Sequence, residues 1–120
     1  MTMRIMIVTM SCLLSGANAF AYGALAIDSG QGSQYGFSYN YPSLSAAQDE
    51  AIRQCGYGCR VVQTFSGGCA AYAADQSYGS TAWGWGKSGN AGGAQQLALD
   101  YCRNRGGSMC IVRVWGCDSG

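Results

Sequence analysis

The chain has 120 residues, seven Lys and Arg against six Asp and Glu, seven cysteines, nineteen glycines and no histidine. That even balance argues against a nucleic-acid or anionic-membrane partner, either of which needs a basic patch. The missing histidine removes Ser-His and Cys-His nucleophile pairs, histidine general bases and histidine metal sites.

In chain order, residues 1–19 read as a secretory signal. Arg4 supplies the positive start, Ile5 to Leu14 the apolar run, and Ala17-Asn18-Ala19 the small-x-small cleavage site. The apolar run is too short for a spanning helix, which needs about 20 residues. The cleavage region also lacks a cysteine to acylate, so the mature chain, residues 20–120, is expected to be one exported domain without a membrane anchor. Cleavage removes Cys12 and leaves Cys55, Cys59, Cys69, Cys102, Cys110 and Cys117. An even set in an oxidising compartment reads as a disulfide framework.

A strand is expected from Ala21 to Ile27, a turn around Ser29 to Gly32, and an aromatic strand from Tyr35 to Tyr41 closed by Pro42. A helix follows from Ser43 or Ser45, where Ser45-Ala46-Ala47-Gln48 has capping-box form. Its apolar face would be Leu44, Ala47, Ala51, Ile52 and Cys55. Arg60 to Phe65 reads as a β-branched strand. The same elements then return: strands Ala70 to Ala74 and Ser80 to Gly86, a helix from Asn90 to Asn104 ended by Gly106-Gly107, and a strand from Met109 to Trp115.

The return is a repeat at a spacing near 47 residues. Ala24-Leu25-Ala26-Ile27-Asp28 recurs as Ala71-Tyr72-Ala73-Ala74-Asp75, Ala47 as Ala94, Ala51-Ile52 as Ala98-Leu99, and Cys55 as Cys102. Phe37-Ser38-Tyr39 recurs as Trp83-Gly84-Trp85, one residue out of step. Cys59 matches Cys110, and Cys69 matches Cys117. The fold class is therefore α+β: two ββαβ units, about 21–69 and 70–117, sharing antiparallel sheet with two helices. If the copies fold alike, the simplest pairing joins Cys55 to Cys59 and Cys102 to Cys110, each tying a helix end to the next strand, and Cys69 to Cys117, linking equivalent points of the two copies. Thiolate zinc binding is disfavoured by export and by irregular spacing, and no metal or cofactor is expected.

Ala21-Tyr22-Gly23-Ala24-Leu25-Ala26, Tyr35-Gly36-Phe37-Ser38-Tyr39, Ala51-Ile52-Arg53-Gln54-Cys55, Gly58-Cys59-Arg60-Val61-Val62, Gly68-Cys69-Ala70-Ala71 and Trp83-Gly84-Trp85-Gly86, with cysteines 102, 110 and 117, give the chain a family likeness. It resembles the bacterial secreted family catalogued as domain of unknown function 4189. The resemblance implies an exported, cysteine-bearing small domain, for some members one directed at host cells. It brings no catalytic residues to carry over.

Chemistry is sparse. Asp28 and Asp75, equivalent in the repeat, could form a glycosidase-like carboxylate pair, although a strand-end turn acid is the commoner role. Asp49 and Glu50 suit a solvated helix face. Lys87 beside Ser88 suggests a Ser-Lys dyad, but neighbours in sequence rarely face each other. Tyr35, Phe37, Tyr39 and Tyr41 alternate and should share a strand face, as should Trp83 and Trp85. Most are expected in the core. An exposed subset would make a binding surface, with Trp83, Trp85, Tyr39 and Tyr41 as candidates. The expectation is a secreted or periplasmic binding or effector module without a catalytic centre, meeting a protein partner in the periplasm, the medium or a host. The alternatives are a hydrolase or toxin using Asp28 and Asp75, and a structural envelope component.

Overall fold

A computed structural model describes residues 21–28 and 34–119. The expected signal (1–19) and the turn around Ser29 to Gly32 lie outside the described residues. Strand β1 (Tyr22–Asp28) and strand β2 (Tyr35–Tyr41) precede helix α1 (Leu44–Cys55) and strand β3 (Cys59–Ser66). Strand β4 (Gly68–Asp75), strand β5 (Trp83–Ser88), helix α2 (Ala91–Asn104) and strand β6 (Cys110–Asp118) repeat the pattern. Each unit builds its own antiparallel sheet, in the orders β2-β1-β3 and β5-β4-β6. The expected ββαβ duplication is present, and its two sheets stack where one shared sheet was expected.

The stacking follows from what each strand puts on its two faces. One face of β1 and β4 is small: Ala24, Ala26, Ala71 and Ala73 are fully buried against Ala47, Ala51, Ala94 and Ala98 of the helices. Each methyl contributes only about 0.8 kcal/mol, but the absence of bulk lets the helices lie close. The other face is large. Leu25, Ile27, Phe37 and Phe65 of the first unit meet Tyr72 of the second in one buried cluster, flanked by Tyr35, Trp83 and Trp85. The Tyr35 ring lies 5.1 Å from that of Tyr72, which lies 6.2 Å from Trp83. Rings of this size contribute roughly 2–3 kcal/mol each when buried, so the aromatic layer between the sheets carries most of the apolar stabilisation. The layers run α1, first sheet, second sheet, α2.

Helix α1 starts at Ser43, whose side chain accepts from Ala46 N at 3.1 Å. The capping box expected at Ser45 does not form, since Ser45 lies inside the first turn. Asn90 caps α2 by accepting from Gly93 N at 2.7 Å. The disulfides are Cys55–Cys59, Cys102–Cys110 and Cys69–Cys117, the pairing the duplication predicts. The first two are equivalent, each tying a helix end to the next strand. Cys69–Cys117 does not link the two units, as the repeat alignment predicts it should, because the second unit begins at Gly68 and not after Cys69. Cys69 belongs to β4 and lies directly opposite Cys117 in β6, so the bridge closes the second sheet; the first sheet has Tyr22 opposite Ser66 there.

Strand register also corrects the repeat alignment. Ala26 pairs with Gly36, and its equivalent Ala73 with Gly84. The structural match is therefore Tyr35-Gly36-Phe37 with Trp83-Gly84-Trp85. Four residues separate Ser38 from Ser43, but three separate Gly86 from Asn90. The extra residue is a bulge at Asn40, which has φ 63°. The bulge reverses the alternation, so Tyr41 does not share the face of Tyr35 and Phe37. It packs instead with Tyr22 on the α1 side.

Candidate functional site

Helix α2 lies almost in backbone contact with the edge strand β5, antiparallel to it. A Cβ on Gly86 would come 2.5 Å from Ala94 O, and one on Gly84 would come 2.5 Å from Ala98 O and press on Cys102 N. The glycines seat the helix directly over the strand, leaving its outer flank overhanging the sheet edge. There Leu97 and Tyr101, one turn apart, stay 49% and 42% exposed. With Asp100, Asn104 and the Trp85-Gly86-Lys87 stretch of β5 they line an open, mainly apolar groove of about 340 Å³, large enough for a few side chains.

Cations flank the groove. Lys87 Nζ lies 5.7 Å from the Trp85 ring centroid. At the opposite end the Arg105 guanidinium lies 4.5 Å from both the Trp83 and Tyr101 rings and donates to Tyr101 Oη at 3.1 Å. These stacks hold Trp83, Tyr101 and Arg105 as one unit. Asp100 is occupied by Gln96 and by Arg103 at 3.6 Å. Among the described residues, neither Lys87 nor Arg105 forms an ion pair.

The backbone of β5 adds outward-facing polar groups beside the groove. Asp75 N donates to Ala82 O at 3.0 Å, which fixes the ladder's alternation. Gly84 and Gly86 turn their polar groups into β4, while Trp83, Trp85 and Lys87 turn theirs outward at the groove. The first unit shows the same parity, with Asp28 N donating to Gln34 O, so Phe37 N points outward. It is taken there by Gln54 Oε1 at 2.9 Å, and beyond the bulge Asn40 N donates to Asp118 Oδ1 at 2.7 Å. One edge is sealed by its own side chains. Where the first unit has Gln54, the second has Tyr101, and among the described residues nothing outside the sheet accepts from Trp85 N or Lys87 N.

The structure divides the four aromatic candidates. Trp83 and Trp85 sit together on β5, half-buried, giving their rings to the aromatic layer and their backbone to the groove edge. Tyr39 is exposed at another corner, 5.9 Å from Phe37 and close to Gly116. Tyr41 lies toward α1.

The carboxylates also separate. Asp28 and Asp75 end strands of different sheets. Asp75 Oδ1 accepts from Ser77 N, Ser77 Oγ and Met109 N at 2.9–3.1 Å. Hydrogen bonding, led by the Ser80 hydroxyl, holds its pKa well below the usual carboxylate range. That carboxylate organises two loops. Glu50 is held at about 2 by hydrogen bonds from Arg53 and Gln54, and Asp49 is exposed. Lys87 and Ser88 project to opposite faces of β5, Lys87 over Trp85 and Ser88 toward Gly93, so they form no dyad. All six cysteines from Cys55 onward are in disulfides. Among the described residues no cluster of metal-ligating side chains forms.

Sequence reasoning missed Leu97 and Tyr101. Their signal was the departure from the repeat: α1 has Glu50 and Gln54 at the equivalent positions, and an apolar replacement on an outer helix face marks a different surface.

Comparison with known proteins agrees with the family resemblance carried by the sequence. The family described as domain of unknown function (DUF4189) matches residues 22–117, spanning both units. A stretch of 61 residues is 43% identical to Protein Rv1269c of Mycobacterium tuberculosis and, equally, to Protein Mb1300c of Mycobacterium bovis. It covers 50% of this chain and 48% of each relative, so the match spans about half of the curated relatives' length. No solved structure matches.

Proposed function

The chain belongs to the DUF4189 family, and from that premise we propose that it is an exported binding module that meets a protein partner through the groove between α2 and β5. The observation that carries this reading is the contrast between the repeats. The same scaffold presents a polar, self-satisfied flank in the first unit and an apolar groove beside a free strand edge in the second. Export is supported by the signal-like start and by three disulfides, which suit an oxidising compartment. The staples and the aromatic layer preorganise the surface, lowering the ordering cost of binding. The carboxylate alternative has little support, because Asp75 is committed to its loops.

Affinity capture from periplasmic and secreted fractions tests the reading, using the oxidised protein and a Leu97→Glu variant matched for melting temperature. The expected result is one stoichiometric partner retained by the protein and lost by the variant. A partner held equally by both would move the interface off the groove. No partner in these fractions or in host-cell extracts would contradict the binding reading itself.

A further inference from the structure

We infer that the groove takes an extended peptide segment as an added strand on β5, with an apolar side chain against Leu97 and Tyr101 and an acidic one facing Lys87. This deepens the binding-module reading and rests on it. Strand addition needs an edge with outward N–H and C=O groups and a side-chain pocket beside it. Here the outward groups of Trp83, Trp85 and Lys87 supply the edge, and the overhanging flank of α2 supplies the pocket.

The first repeat identifies what such an edge accepts. At its equivalent position Phe37 N is met at 2.9 Å by Gln54 Oε1, an amide carbonyl and thus the same acceptor as a peptide backbone C=O. The second repeat replaces Gln54 by Tyr101, whose ring stacks with Arg105, leaving that acceptor to come from outside. The charge on the occupant follows from Lys87, which among the described residues has no acidic partner. Asp100 does not serve, being held by Gln96 and Arg103.

The probe is a displayed library of short linear random peptides, selected on the oxidised protein. Enriched peptides should carry alternating apolar residues with an acidic neighbour, and their binding should slow amide exchange at Trp85 and Lys87. Two variants separate backbone from side chain. Lys87→Ala keeps the outward N–H and removes the charge; Lys87→Pro removes the N–H as well and spares the ladder to β4, since proline is tolerated on an edge strand whose N–H faces solvent. Lys87→Pro should bind the enriched peptides at least about tenfold more weakly than Lys87→Ala. If Lys87→Pro misfolds, the exchange readout on the unmodified protein decides.

Equal binding to the two variants, with unchanged exchange, would overturn strand addition. The groove reading would survive that result if Tyr101→Ala abolished binding and would fall if it did not. Failure to enrich any peptide would also overturn strand addition, leaving the groove reading to the capture experiment. A concentration-dependent dimer broken by Lys87→Pro would assign the edge to a second copy of this chain.

Discussion

Asp75 shows what a single side chain does here. Its carboxylate gathers Ser77, Ser80 and Met109, joining the β4–β5 turn to the segment before β6. Its folded pKa is depressed, so its stabilising effect is complete above the ordinary value of 3.8 and is lost as pH falls below it. Glu50, lowered from 4.5 to about 2, acts in the same direction over the same window. The melting temperature should fall between about pH 5 and pH 2, and Asp75→Asn should flatten that slope while lowering stability at neutral pH. Tyr72 works at the opposite end. Burial pushes its phenol up from 10.0, so the folded state is favoured below that pH and loses stability as pH rises above it. Tyr72→Phe should reduce the alkaline loss, as thermal melts at increasing pH would show.

The helix–sheet contacts show how much was legible in the sequence at the scale of an element. Ala47, Ala51 and Cys55, with Ala94, Ala98 and Cys102, stand at helical spacing and correspond across the repeat, and those are the residues the helices bury. Leu44, expected on the same face, is exposed, and Ile52 is only half-buried. The disulfide pairing was readable from the same symmetry. Strand alternation was less reliable. Nothing local to Tyr35–Tyr41 announces a bulge, because Asn40 adopts φ 63° in a context completed by Asp118, 78 residues away. The groove was hidden for a similar reason. Leu97 and Tyr101 acquire meaning only when Gly84 and Gly86 bring α2 onto the edge strand. Gly84→Ala should therefore destabilise the protein by roughly 1–3 kcal/mol, the usual cost of overpacking. Adding the methyl at exposed Gly89, which meets nothing within 4 Å, should cost far less. Chemical denaturation of the two variants compares them.

Across the whole molecule, the two units are joined through the aromatic layer and through one buried acid. Asp118 accepts from Asn40 N in the first sheet and from Gly67 N in the turn between the units, at 2.7 and 3.2 Å. Asp118→Ala should strand both donors and cost about 2–3 kcal/mol by denaturant unfolding. The disulfides act over different ranges. Cys69–Cys117 spans 48 residues and Cys55–Cys59 spans 4. In a chain-entropy picture, removing the first should cost about 4 kcal/mol and the second about 2.

Duplication gives the molecule two similar edges, and the proposed binding role depends on their having diverged. Amide hydrogen exchange on the free, oxidised protein tests that divergence most directly. Phe37 N, held by Gln54, and Asn40 N, held by Asp118, should exchange slowly, as should Gly84 and Gly86 within the ladder. Trp85 N and Lys87 N should exchange at least about tenfold faster, the effect of one missing hydrogen bond. Trp85 and Lys87 amides as protected as Phe37 would mean that the second edge is already covered, and the groove would lose its claim to be the binding site.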